Sequence, residues 1–255
     1  MLDKIVEVKK DELKNFTMPN PIEVNHVSLK DSLQNANHDI GLIAEVKKAS
    51  PSKGIINENF DPVEVALAYE RAGADAISVL TDETFFKGKN AFLSQVKKHV
   101  NLPVLRKDFI IDERQIEESK LIGADAILLI VKVLGAKKTK EFYDLAKDHN
   151  LECLVEVHSK EELQALTEIF EPEIIGINNR NLDTFDTSTK NTSDLSRFVP
   201  SHSLMISESG ISEFSDIKDV MKVGASGVLV GEALMRDGMY EERISHLFGG
   251  AVYEA

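Results

Sequence analysis

Tryptophan is absent from this chain, and its one cysteine, Cys153, sits inside an apolar run. A single thiol builds no disulfide framework and no thiolate metal site. No apolar stretch approaches the roughly 18 residues that a membrane-spanning helix requires. The opening Met1-Leu2-Asp3-Lys4-Ile5-Val6-Glu7 is too mixed in charge for a secretory signal. The expected address is therefore cytoplasmic. Basic residues are few: 30 Lys and Arg stand against 43 Asp and Glu, a formal net charge of −13. That balance argues against nucleic acid, whose phosphates demand a basic face. GxGxxG and P-loop patterns are missing, so dinucleotide and nucleoside triphosphate cofactors lack support. The seven histidines show no metal-ligand spacing, and no Ser or Cys nucleophile pairs with a histidine partner.

What is present is a regular alternation. Residues 1–39 read as a helical preamble, with Ile5, Val8 and Leu13 on one helix face and a second short helix over Ser28–Gln34. Short apolar strands then follow at Ile40–Lys47, Ala76–Leu80, Pro103–Lys107, Ala126–Val131, Glu152–Val157, Ile174–Asn178, Leu204–Glu208 and Gly227–Val230. Helical patterns lie between them at Pro62–Ala72, Ala91–Val100, Glu113–Ile122, Lys137–His149, Lys160–Phe170, Thr192–Phe198 and Glu213–Val223, with a helical tail after Gly231. Arg71-Ala72-Gly73-Ala74-Asp75-Ala76-Ile77 is echoed by Leu121-Ile122-Gly123-Ala124-Asp125-Ala126-Ile127 and by Lys222-Val223-Gly224-Ala225-Ser226-Gly227-Val228. One βα unit recurring fits a (β/α)8 TIM barrel, a fold that takes about 250 residues, better than an open doubly wound sheet. Periodicity alone does not separate the two. The expectation is an α/β chain of 255 residues forming one barrel domain with an N-terminal helical extension.

In such a barrel the chemistry gathers at the C-terminal ends of the strands. The first strand ends in Glu45-Val46-Lys47, and residues two apart share a face, so carboxylate and ammonium point the same way. The third puts Lys107 in phase with Leu105, leaving Arg106 towards the helices; the fifth puts Glu156 in phase with Leu154. The sixth and seventh contribute Asn178, Arg180 and Glu208. Three carboxylates and two lysines thus converge on one mouth, as an acid–base site or as a ring of structural ion pairs. Ser209-Gly210 and Gly231-Glu232 lie in the last two loops, where this fold commonly holds a phosphate, and Ser52-Lys53 adds a lysine from the first loop. Phe85-Phe86 either floors an aromatic pocket or packs beneath its loop. His158 shares the phase of Glu156, but a lone histidine is more often a structural hydrogen-bonder.

At these residues the chain resembles the indole-3-glycerol-phosphate synthase family. The likeness is carried by Ile43-Ala44-Glu45-Val46-Lys47-Lys48-Ala49-Ser50-Pro51-Ser52-Lys53-Gly54, Leu105-Arg106-Lys107-Asp108-Phe109 and Leu154-Val155-Glu156-Val157-His158. Gly176-Ile177-Asn178-Asn179-Arg180-Asn181-Leu182, Ser207-Glu208-Ser209-Gly210-Ile211 and Val230-Gly231-Glu232-Ala233-Leu234-Met235 extend it. Asp82, where Glu is commoner, and Lys87 after the Phe pair depart from the pattern in the second loop only. The resemblance implies ring closure, decarboxylation and dehydration of 1-(2-carboxyphenylamino)-1-deoxyribulose 5-phosphate, without cofactor or metal. It implies Lys107 as proton donor and Lys47 as holder of the substrate carboxylate. Glu156 and Glu45 would move protons later, while Asn178, Arg180 and Glu208 orient groups. Lys53, Ser52, Ser209, Gly210, Gly231 and Glu232 would hold the phosphate end, with Phe85 and Phe109 against the aromatic ring. The expected assembly is a monomer or weak homodimer. Two readings compete: a catalytically silent phosphosugar-binding barrel, and phosphoribosylanthranilate isomerase, for whose expected Cys/Asp pair no candidate is apparent.

Overall fold

The computed structural model describes residues 1–51, 54–56, 60–180 and 187–250. Its centre is a closed barrel of eight parallel strands, each hydrogen-bonded to its neighbours in chain order. They are β1 (Gly41–Val46), β2 (Ala76–Leu80), β3 (Val104–Lys107), β4 (Ala126–Ile130), β5 (Glu152–Val157), β6 (Ile174–Asn178), β7 (Leu204–Glu208) and β8 (Gly227–Val230). Apart from Lys107, Glu152 and Leu204, every strand residue is buried. Helices cover the outer face and side chains fill the inner one, which is why these strands read as unbroken apolar runs.

The helices are α1 (Leu2–Glu12), α2 (Leu29–Gln34), α3 (Pro62–Arg71), α4 (Glu83–Phe86), α5 (Asn90–Lys97), α6 (Glu113–Leu121), α7 (Val131–Asp148), α8 (Lys160–Thr167), α9 (Lys190–Leu195), α10 (Phe214–Lys222) and α11 (Tyr240–Leu247). Two helices end three residues early, at Lys97 and Thr167, and two others differ more from the sequence expectation. The single turn α4 forms because Asp82 accepts the Phe85 and Phe86 N–H groups at 2.7 and 3.3 Å. Helix α7 starts at Val131 instead of Lys137, directly from β4, and bends at Gly135, whose φ of 72° breaks the helical path.

The repeated sequence now has a structural reason. Gly73, Gly123 and Gly224 close their helices at φ of 88, 94 and 89°. Two residues on, Asp75 accepts the Leu42 N–H at 2.8 Å and Asp125 the Val104 N–H at 2.7 Å. Ser226 takes the matching position, accepting from Met205 N–H at 3.4 Å. Each repeat therefore ties the start of its strand to the strand before it.

The same bottom face receives the N-terminal segment. Asp125 also accepts from Val27 N–H (2.9 Å), and Glu152 accepts from Ser28 Oγ (2.8 Å), Leu29 N–H and Lys30 N–H (3.1 Å). Those bonds set α2 across the barrel floor, where Leu29 and Leu33 join the inner core of Ile43, Leu105, Leu128 and Ile206. Gly41 and Gly227 leave the room: a Cβ on Gly41 would lie 2.7 Å from Leu33 Cδ2. Leu29 is fully buried, so Leu29→Ala should cost about 2–5 kcal/mol. Urea titration reads the loss, and turnover in the absence of denaturant should stay near that of the parent, because the floor is remote from the barrel mouth.

Candidate active site

Inward-facing positions at the upper strand ends deliver Glu45, Lys107, Glu156, Asn178 and Glu208 into one cavity of about 320 Å³. Lys47 lies just past the end of β1 and also lines it. The phases expected for these residues hold, and Arg106 points outward, bonding Gln115 O at 3.1 Å and Ser119 Oγ at 3.0 Å between the helices.

Charge is densely packed at this mouth. Lys47 Nζ donates to Glu45 Oε1 at 2.5 Å. Lys107 Nζ stands 3.8 Å from Glu156 Oε2 and 4.0 Å from Glu208 Oε2. Burial opposes the Lys107 charge, but Glu156, Glu208 and Glu45 outweigh it and raise its pKa above 10.5. Burial likewise opposes the Glu45 charge; Lys47, Lys107 and Arg180 prevail and lower its pKa below 4.5. Glu208 goes the other way, well above 4.5, because burial is reinforced by the adjoining Glu156 carboxylate. Neither Glu208 oxygen has a donor among the described residues, so burial and the neighbouring carboxylate both favour its protonated form.

Glycine makes the crowding possible. A Cβ on Gly176 would come within 2.0 Å of Glu208 Oε1, and one on Gly231 within 2.4 Å of Glu45 Oε1. Gly231 therefore has a packing reason beside the phosphate role expected for it. In the preceding loop Ser209 has φ of 66°, uncommon for a residue with a side chain, and Asn179 Nδ2 pins its carbonyl at 3.0 Å. Ser209, Gly210, Gly231 and Glu232 all line the cavity. Arg180 Nη2 lies 3.8 Å from Glu232 Oε2, with Arg236 Nη2 at 3.2 Å from Oε1. The rim here is cationic around one carboxylate. Ser52 and Lys53 lie outside the described residues.

The apolar wall corrects one expectation. Phe86 lines the cavity and Phe85 does not, because successive residues of the α4 turn point about 100° apart. Phe86 sits 6.3 Å from the Phe109 ring, which also lines the wall, beside Leu80, Leu128 and Ile130. Sequence reasoning missed the other contributors, Met1, Leu2 and Ile5 of the N-terminal segment. It missed their anchor too. Lys9 of α1 is 5% exposed and reaches Glu12 (2.8 Å), Asp108 (3.0 Å) and Asp82 (3.1 Å). The signal available was two aspartates immediately following strands, with no partner assigned. His158, set aside as structural, has Nε2 3.3 Å from Glu156 Oε1 and Nδ1 3.6 Å from Glu162 Oε2.

Among the described residues no cluster of His, Cys, Asp or Glu could hold a metal ion, and no helix is long and apolar enough to cross a membrane. The arrangement can bind an anion at each end and exchange protons in the middle. The solved tryptophan synthase α-subunit variant from Pyrococcus furiosus superimposes with a TM-score of 0.63 at 16% identity, covering 82% of this chain and 98% of that one. At that distance the likeness is of fold. Sequence relatives are much nearer: "Indole-3-glycerol phosphate synthase" of Geobacillus sp. (strain WCH70) is 57% identical over 249 residues, 97% of this chain and 96% of that one. The protein of the same name from Halalkalibacterium halodurans is 54% identical over 250 residues, 98% and 97% of the two chains. The family model described as "Indole-3-glycerol phosphate synthase" matches residues 2–247, from the N-terminal helix to the last. With relatives more than half identical along almost their full length, this chain belongs to the indole-3-glycerol phosphate synthase family.

Proposed function

We propose that the chain converts 1-(2-carboxyphenylamino)-1-deoxyribulose 5-phosphate into indole-3-glycerol phosphate, carbon dioxide and water, as a carboxy-lyase of tryptophan biosynthesis. The observation that carries this reading is the convergence of Lys107 with Glu45, Glu156 and Glu208 in one cavity that has an apolar wall. Ring closure makes an aryl carbon attack a ketone, and the developing alkoxide needs a proton. Lys107, charged and central, supplies it. The substrate carboxylate competes with Glu45 for Lys47, which holds it until carbon dioxide leaves. Dehydration then takes one proton to the departing hydroxyl and removes another from the new ring. Glu45, freed beside Lys47, and Glu156, beside Lys107, perform those transfers.

Asn178, whose Oδ1 accepts the Arg180 N–H at 2.9 Å, orients substrate hydroxyls together with Glu208. Phe86, Phe109 and the leucines of the wall take the aromatic ring. Backbone at Ser209, Gly210, Gly231 and Glu232, with Arg180, takes the phosphate, an anion site local enough to function on an acidic chain. Ser52 and Lys53 of the first loop are assigned to the same end. In buffer containing a chelator, the purified protein should turn the substrate over, seen as growth of the indole chromophore. No turnover at any pH would overturn the assignment and leave a silent phosphosugar-binding barrel.

A further inference from the structure

The reaction does not balance in protons. The ionised carboxyl of the substrate leaves as neutral carbon dioxide: the C–COO bond breaks, its electron pair returns to the ring, and the charge is lost. Water departs as a neutral molecule. One proton is therefore consumed in every turnover, and it originates in solvent. Lys107, the first donor, has a side chain only 18% exposed, and its neighbour Glu156 is 2% exposed. With substrate filling the cavity above them, both are cut off from bulk water on that side.

On the opposite side stands His158. Its ring is 8% exposed, and neither nitrogen has a hydrogen-bond partner among the described residues, although both are buried. An imidazole left unsatisfied between two carboxylates has no obvious structural use, since buried polar groups are normally bonded. Nε2 faces Glu156 at 3.3 Å and Nδ1 faces Glu162 at 3.6 Å. Exposure rises along the row, from 2% at Glu156 through 8% at His158 to 20% at Glu162. Glu162 belongs to the first turn of α8 and is held there by accepting the His158 backbone N–H at 2.8 Å. Among the described residues these are the charged or titratable groups paired with the ring: Glu156 from its own strand and Glu162 from the helix packed on it.

We infer that Glu162, His158 and Glu156 form a proton relay that returns a solvent proton to Lys107 from behind the bound substrate. In the return step the Nε2–H bond breaks and a Glu156 O–H bond forms, while Nδ1 takes a proton from the Glu162 carboxyl. Glu162 recovers its proton from water, Glu156 passes its own to the neutral Lys107 amine, and the imidazole regains its first tautomer by releasing its Nδ1 proton to water and taking one from water on Nε2. Contacts of 3.3 and 3.6 Å are a few tenths of an ångström longer than a working hydrogen bond, so the row closes up as the proton moves. His158 acts through Glu156 and does not touch substrate; it is a positioning and relay residue.

The relay rests on the assignment of Glu156 to the proton chemistry, and the test separates the two. His158→Gln preserves size and hydrogen bonding but carries no proton across. It should lower kcat roughly tenfold, since positioned proton transfers contribute about 10²–10⁴ and this one only refills the donor. KM should hold, the solvent deuterium effect on kcat should increase, and added imidazole should restore the rate. Glu162→Gln should behave alike with a smaller loss. An unchanged kcat in His158→Gln, or a loss that imidazole leaves in place, overturns the relay. Full activity in Glu156→Gln would instead overturn the role of Glu156 itself.

Discussion

Lys107→Met should turn over its substrate about 10²–10⁴-fold more slowly than the parent while remaining folded. Methionine keeps the apolar stem in place and removes only the ammonium, so the loss reads proton donation and not packing. The carboxylates left behind have a ready response, because Glu208, whose pKa burial and the adjoining carboxylate hold well above 4.5, can carry a proton. KM should change less than kcat, since the substrate anions are assigned to Lys47 and to the last two loops. The pH profile gives an independent reading. The Lys107 pKa is raised above 10.5, so its charge, and the stability that charge contributes, persist below that value and are lost only as pH rises beyond it. An alkaline fall in activity well below that range reports the proton of Glu208, whose pKa is raised well above 4.5. On the acid side, Glu45 keeps its charge until pH falls below 4.5, and Lys47 keeps its partner until then. Near-normal kcat in Lys107→Met would place the acid elsewhere.

Lys9→Met should unsettle the molecule more than any exposed lysine would. It strips the cation from a cluster in which Asp82 and Asp108 are 0 and 4% exposed, and breaking a buried pair costs about 3–5 kcal/mol. Arg106, 3.1 Å from Asp108, softens the loss at that carboxylate but not at Asp82. Burial alone would raise the Asp108 pKa, yet Lys9 and Arg106 bring it down from 3.8 to about 2. A depressed carboxylate adds stability that is complete above its unfolded value and fades as pH falls through the folded one. The difference between parent and variant in urea should therefore be full near neutrality and shrink as pH drops from about 4 towards 2. Because Met1, Leu2 and Ile5 complete the cavity wall, releasing α1 should also raise KM. An unchanged urea midpoint would mean that apolar contacts alone hold the helix.

Lys107 and Lys9 were not equally legible in the sequence. Period-two phase is local, so the residue pattern by itself aims Glu45, Lys107, Glu156, Asn178 and Glu208 inward, and all five line the cavity. The strands are legible for the same reason, with bounds shifted by no more than a residue. Lys9 is not. On an amphipathic helix it reads as a solvated charge, and nothing nearby in the chain says that Asp82 and Asp108, so much later in the sequence, will enclose it. Phe85 and Phe86 separate only once Asp82 has wound them into a turn. The direction of His158 is readable from Glu156, but its use depends on Glu162 returning from the next helix. Gly176 looks like an ordinary weak point in a strand, and only the Glu208 carboxylate lying against it shows why no side chain fits.

The floor of the barrel has a bearing on how the chain is made. Helix α2 is synthesised before any strand, yet the carboxylate that receives its first turn, Glu152, comes 123 residues after Leu29. At about 5–20 residues per second, a ribosome finishes the plug roughly 6–25 s before its socket exists. Through that interval Leu29 and Leu33 have no inner core to enter, and the nascent chain presents them to whatever chaperone attends the exit tunnel. A helix made before every strand of the barrel is thus among the last elements to dock.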